Sequence, residues 1–324
     1  MERFKKTAKR ILFAIIIVAA IYLGFFWYVV ETMRANGNTI EIGDYKVMAF
    51  NFDEGTIVRY MGNKNDVKIP RRILWWKITK IHDRTFEGND EIETIFVPNS
   101  VTEVGMEAFY KCSSLKEVYF EDGGKATEIG TRAFMNCEKL EDVHLPEGLV
   151  EIGGASFADC MSLNDITIPS TVERIEGSAF FQCHNLGEVQ INGEPSVKYV
   201  ESDAFEQTKW LRKCGDYAMV GRVLYAYNGT DDPVNIPEGT VGGNTESIDA
   251  KVIVYPASYQ FSELELSHVE NYITLVFMDE GQHYFDNVKE KKYGYGKITV
   301  MATPNSTVWN DASALGINVV EKTE

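Results

Sequence analysis

Five cysteines and five histidines carry the most reactive side chains of this 324-residue chain. Cys112, Cys137, Cys160 and Cys183 recur at intervals of 25, 23 and 23 residues, and His184 stands directly beside Cys183. A thiol next to an imidazole is the start of a cysteine nucleophile, but activation also needs a group that orients the base, and the sequence places none. Even spacing points instead to equivalent structural positions, where cysteine is a small buried hydrophobe with a weak S–H donor. Turns stacked about 5 Å apart would fall within disulfide reach, yet side chains in one register run parallel and do not converge. Cys214 lies outside the register and is open to exposure. His82, His144, His268 and His283 show no metal-ligand spacing, and Asp231-Asp232 and Glu121-Asp122-Gly123-Gly124 lack the spacing of a calcium loop and read as turns. The expectation is a chain without catalytic residue, metal or cofactor. A cysteine hydrolase is the remote alternative and would require a low-pKa thiol.

The cysteine interval belongs to a longer phrase repeated between Phe86 and Leu211, with clear copies at Thr94 (TIFVPNSVTEVGMEAFYKCSSL), Asp142 (DVHLPEGLVEIGGASFADCMSL) and Asp165 (DITIPSTVERIEGSAFFQCHNL). Phe86, Phe109, Phe134, Phe157, Phe180 and Phe205 are separated by 23, 25, 23, 23 and 25 residues, and a fixed period of that size predicts a solenoid. In each copy Ile95-x-Val97, Val118-x-Phe120, Val143-x-Leu145, Ile166-x-Ile168 or Val189-x-Ile191 alternates like a half-buried strand. Pro98, Pro146 and Pro169 end the strand, because proline cannot donate to a ladder. A second apolar pair follows, then Gly105, Gly130 or Gly153 as a turn residue, then a small residue and the Phe, with Ser156 replacing Ala before Phe157. About seven buried side chains per copy give on the order of 10–15 kcal/mol gross, whereas ordering a copy costs roughly 35 kcal/mol. A single copy cannot fold, so the copies must stack into one block with protected ends.

The order Leu-x-x-[Ile/Val]-x-[Ile/Leu]-Pro-x-x-Val-x-x-Ile-Gly-x-x-Ala-Phe-x-x-Cys-x-x-Leu resembles the BspA-type leucine-rich repeat, a family of mostly bacterial cell-surface proteins. The resemblance implies a repeat solenoid of mainly β character, with short parallel strands and helical turns, and a role in adhesion or host interaction.

Residues 1–10 hold five basic residues against Glu2, and 11–30 (ILFAIIIVAAIYLGFFWYVV) hold no charge. As a helix these twenty residues would rise about 30 Å, the thickness of a hydrocarbon core. The reading is an uncleaved transmembrane helix with a cytoplasmic basic tail and an outer aromatic belt; a cleaved secretory signal competes, although no small-x-small site follows the apolar run. Residues 31–40 read as a linker, 41–85 as an N-terminal cap and first repeat start, 86–211 as the array, and 212–324 as degenerate repeats with a C-terminal cap. The phrase Tyr60-x-Gly62…Val67-x-Ile69-Pro70 recurs as Tyr227-x-Gly229…Val234-x-Ile236-Pro237, each copy marking the start of a repeat cycle. Near the end, Ser306 is placed to N-cap a helix stopped by Gly316, before a last strand.

Net charge is −16, and −20 once residues 1–10 are removed, which disfavours nucleic acid and equally disfavours lying flat on anionic lipid, and makes basic proteins or cations the better partners. A small-molecule ligand is not expected. Outward strand positions form the candidate surface. Glu117, Asp142, Asp165 and Glu188 fall in one column, and Phe96, Tyr119, His144, Thr167 and Gln190 in the next. Such a face can be merely solvated. However, like charges stacked about 5 Å apart repel by up to roughly 1 kcal/mol per pair even in water, a cost that a binding partner would offset. The function expected is non-enzymatic protein binding or adhesion at a bacterial cell surface, by a single-pass protein with extracellular repeats. The alternative is a rigid spacer or scaffold in an envelope complex.

Overall fold

A computed structural model describes residues 2–324 except 50, 52, 125, 202, 244–247, 249, 262–272, 286–287, 289–296 and 323–324; for helix residues 2–17 it describes the backbone alone. Each repeat contributes two strands to two parallel ladders. The first ladder runs through Asp66–Lys68, Thr94–Val97, Glu117–Phe120 and Asp142–His144, and a separate pair joins Asp165–Pro169 to Glu188–Asn192. The second is a ten-stranded sheet in which two-residue strands, such as Glu103–Val104, Glu128–Ile129 and Glu151–Ile152, stack in register. Inward strand positions are buried, as the alternation predicts, except that Leu145, Val189 and Ile191 are only partly so.

The Phe turns clip one repeat to the next. Phe109 N–H donates to the Ala133 carbonyl at 2.7 Å, Phe134 to Ser156 at 2.7 Å, and Phe157 to Ala179 at 2.8 Å. The cysteines add a second clip: Cys112, Cys137, Cys160 and Cys183 donate Sγ–H to the carbonyls of Phe86, Phe109, Phe134 and Phe157 at 3.2, 3.2, 3.3 and 3.0 Å. At the two ends of the column polar residues replace cysteine and bond locally. Asn89 Oδ1 accepts from Glu91 and Ile92 N–H, and Thr208 Oγ1 donates to the Phe205 carbonyl and N-caps the short helix Lys209–Lys213. Tyr225 closes the column, its hydroxyl accepting the Phe205 N–H at 3.0 Å.

Two expectations about these turns are corrected. No α-helix occurs among the described residues of 86–205; the chain turns through left-handed residues two positions on either side of each Phe from Phe86 to Phe180, such as Glu107 (φ 55°) and Lys111 (φ 59°) around Phe109. Nor do Gly105, Gly130 and Gly153 serve a positive φ. They let stacked turns approach: a Cβ on Gly130 would lie 2.8 Å from the carbonyl oxygen of Val104, and one on Gly153 2.6 Å from that of Ile129.

Helix α1, Glu2–Ala35, covers the apolar run. Among the described residues no helix is long and apolar enough to cross a membrane, and the side chains of the first part of the expected span, 11–17, lie outside the described residues. The segment 31–40 is not a free link. The helix continues to Ala35 and a strand begins at Thr39, because Val29 and Met33 bury against the cap.

Beyond Cys214 an antiparallel hairpin, Tyr217–Val220 with Val223–Tyr227, pairs with Gly242–Gly243 in a separate three-stranded sheet, and a further parallel ladder runs through Val234–Asn235, Val252–Tyr255, Ile273–Phe277, Ile298–Ala302 and Asn318–Glu321. Neighbours on one strand divide the cores: Tyr225 belongs to the array cluster and Leu224 to the C-terminal one. The terminal helix α3, Thr307–Leu315 (α2 being Lys209–Lys213), has Ser306 accepting from Trp309 N–H at 3.2 Å and Gly316 in the left-handed region at its end.

Candidate functional site

The first ladder points alternate side chains outward, and its parallel register sets equivalent residues side by side. Glu117 pairs with Asp142, and Tyr119 with His144 and Phe96. The three rings stack, with Phe96 to Tyr119 at 5.5 Å and Tyr119 to His144 at 5.2 Å between centroids. Glu117, Tyr119, Asp142, His144, Asp165, Thr167, Glu188 and Gln190 are exposed, and Phe96 is half-buried. Two residues that the columns did not include extend them: Asp66 pairs with Thr94, accepting its hydroxyl at 2.6 Å, and Lys68 pairs with Phe96. Lys68 takes the register position beyond the end of the aromatic stack.

The columns are not continuous. Asp165 pairs with Glu188 and Thr167 with Gln190 in a separate two-stranded sheet, and no ladder joins Asp142–His144 to Asp165–Pro169. A groove of about 460 Å³ lies at this break, with Asp142 and His144 on one wall, Asp165 and Thr167 on the other, and Glu121 and Asn192 at its ends. The sequence carries a trace of it. Phe120 to Ile129 and Ile191 to Val200 each take nine residues where Val97 to Val104, Leu145 to Ile152 and Ile168 to Ile175 take seven. The two longer turns therefore bracket the broken stretch. Asn192 Nδ2 donates to Glu147 Oε1 at 2.8 Å. Glu121 accepts the Asn99 N–H at 2.9 Å and pairs with Arg71; that backbone donor and the guanidinium hold its carboxyl below the ordinary 4.5.

The thiols occupy a different environment. Cys112, Cys137, Cys160 and Cys183 are buried and Cys214 is half-buried. Burial pushes the Cys183 thiol up to about 12, moves Cys137 and Cys160 well above the ordinary 9.0, and raises Cys214. His184 does not address Cys183, whose Sγ–H points to the Phe157 carbonyl while the exposed imidazole Nδ1 lies 3.0 Å from the Gln207 carbonyl. Such thiols resist ionisation, and a thiolate nucleophile has no supporting geometry here. The strand face carries an acidic rim and a ring stack on paired strands, with a groove where the pairing lapses.

Residues 79–212 match the family model "BspA type Leucine rich repeat region" in six copies. No curated protein matches the chain. Among solved structures it is similar to a leucine-rich repeat protein of T. pallidum, at 28% identity over 46% of this chain and 70% of that one, with a TM-score of 0.44. A leucine rich cell surface protein of Faecalibacterium prausnitzii aligns with 88% of this chain and 95% of its own at 18% identity and a TM-score of 0.48. The pneumococcal vaccine antigen PcpA aligns with 89% and 99% at 14% identity and a TM-score of 0.38. The similarity to BspA-type leucine-rich repeats thus lies in the array, residues 79–212.

Proposed function

We propose that this protein is a non-enzymatic binding protein of a bacterial cell surface, held by α1 in the cell membrane with its N-terminus cytoplasmic and its repeats outside. Leucine-rich repeats generally mediate protein–protein interaction, and the observation that carries the reading is the outward face of the first ladder. There the stacked Phe96, Tyr119 and His144 run beside Glu117 and Asp142, with an acid-lined groove at the next repeat. An amphipathic ring stack offers contact area at little entropic cost, and the carboxylates select a basic protein. The uncharged run 11–30 behind five basic residues supports the topology.

The test is capture of surface proteins by the full-length chain in nanodiscs, followed by binding kinetics. Reversing Glu117, Asp142, Asp165 and Glu188 to Lys should slow association, and the slowing should fade as salt shortens the Debye length below about 8 Å. Tyr119→Ala should mainly raise the dissociation rate. Unchanged kinetics, or a footprint on residues 212–303, overturns the assignment. Absence of any captured ligand favours the spacer role.

A further inference from the structure

The junction of α1 with the cap carries a feature that an aqueous fold does not account for. Strands Arg72–Ile73 and Trp76–Ile81 pair as an antiparallel hairpin whose two tip residues are Leu74 and Trp75. Such tips favour Asn, Asp or Gly because they need a left-handed backbone. Leu74 instead holds φ +55° and is 39% exposed. Arg72 braces the turn, Nη1 donating to the Trp75 carbonyl at 2.8 Å. The tip lies against the helix: the Trp75 ring is 5.3 Å from Phe26 and 4.7 Å from Trp76, while Ile21, Tyr22, Leu23, Trp27 and Tyr28 remain exposed around α1. Between α1 and the first hairpin a cavity of about 580 Å³ is lined by Phe25, Tyr28, Ile40, Ile42 and Leu74, with Lys46 and Glu41 also on its wall.

Charge divides along the same line. Residues 41–85 carry nine basic and six acidic side chains, a net +3, whereas residues 86–324 carry 17 and 40, a net −23. The folded part nearest the helix is thus basic although the rest of the chain is strongly acidic.

We propose that the Leu74–Trp75 turn is a second membrane contact, entering the outer interface of an anionic bilayer beside α1, with Leu74 toward the acyl chains and Arg72 and Lys46 at the phosphate layer. This rests on the reading of 11–30 as a span. Phe26 lies four residues, about 6 Å, inside the end of that span. A turn packed on Phe26 therefore lies in the outermost acyl layer, just beneath headgroups that occupy roughly 5–8 Å on each side of the hydrocarbon. The basic cap attracts anionic lipid, as clustered Lys and Arg beside a span do. The consequence is a repeat array held at a fixed attitude to the membrane.

The full-length chain with Cys214→Ser, carrying a single new cysteine labelled with an environment-sensitive fluorophore, tests this in vesicles of phosphatidylcholine and phosphatidylglycerol that contain shallow or deep spin-labelled lipid. Label positions are Leu74→Cys, Tyr22→Cys and Thr167→Cys. The Leu74 label should be blue-shifted and quenched several-fold more by shallow than by deep quencher, the Tyr22 label quenched by the deep one, and the Thr167 label by neither. Quenching at Tyr22 without quenching at Leu74 overturns the second contact and leaves the span. Quenching at neither position overturns both.

Discussion

Between Phe86 and Phe205 six rings stack with centroids 4.7, 4.9, 5.3, 5.3 and 5.0 Å apart and planes within 11° of parallel. In the C-terminal ladder Tyr255, Tyr259, Phe261, Phe277 and Phe285 also gather, but Tyr255 meets Tyr259 at 63°, Phe261 meets Phe277 at 76°, and Phe277 meets Phe285 at 71°. Both regions keep parallel backbone pairing. Ladder bonds need only N–H and C=O groups in step, whereas a ring column needs one residue type at one turn in every copy. The backbone period thus outlasts the side-chain period. Where the single ring column is lost, aromatics from different positions fill the core as a mixture of edge-to-face and stacked pairs, the stacked ones being Phe261 on Phe285 at 12° and Tyr255 on Phe277 at 25°.

Cutting the column should give the largest effect. Phe157→Ala removes a ring stacked at 5.3 Å on both sides and should cost about 3–5 kcal/mol, with amide exchange rising in the flanking repeats. Phe277→Ala should cost a similar amount, but its exchange changes should stay within the C-terminal cluster, since Leu224 and Tyr225 divide the two cores. Equal spread from both substitutions would erase the distinction. Gly130→Ala comes next. Its Cβ would meet the backbone of the preceding turn, so a loss of about 1–3 kcal/mol in urea unfolding is expected.

Ser156→Ala should act in the opposite direction. Ser156 is fully buried and its Oγ finds no partner among the described residues, so restoring the alanine of neighbouring copies should stabilise the array by about 1 kcal/mol. A fall in melting temperature would refute it. Acid gives the smallest effect. Lys116 holds Glu93 below its ordinary 4.5, and the Asn99 N–H with Arg71 does so for Glu121. Their stabilisation is present above that value and is lost as pH falls through the folded values. Urea midpoints should therefore drop on acidification, and less so in Glu121→Gln.

Much of this was legible from residues alone. The Phe interval, the strand alternation, the inward cysteines, the Ser306 cap and the Gly316 stop all reflect local preferences that tertiary contacts reinforce. The break between His144 and Thr167 was harder to see, because columns drawn from a repeat register assume equal stacking, and only the two nine-residue turns betray the departure. The left-handed positions were hidden for another reason. Lys111, Asn136, Asp159 and Gln182 adopt φ near 60° without being glycine, held there by the clips on either side. Likewise the docking of Trp75 on Phe26 joins residues far apart in sequence, which no periodicity connects.

The four cysteine clips give the array a built-in clock. A buried thiol that donates to a carbonyl in the neighbouring repeat can be alkylated only while its own turn is open. Because Cys112, Cys137, Cys160 and Cys183 mark four consecutive turns with one chemistry, the order in which they take up label in native buffer reads out, turn by turn, where the solenoid breathes first. A protein with one such thiol reports a single opening; this one records a profile along its axis.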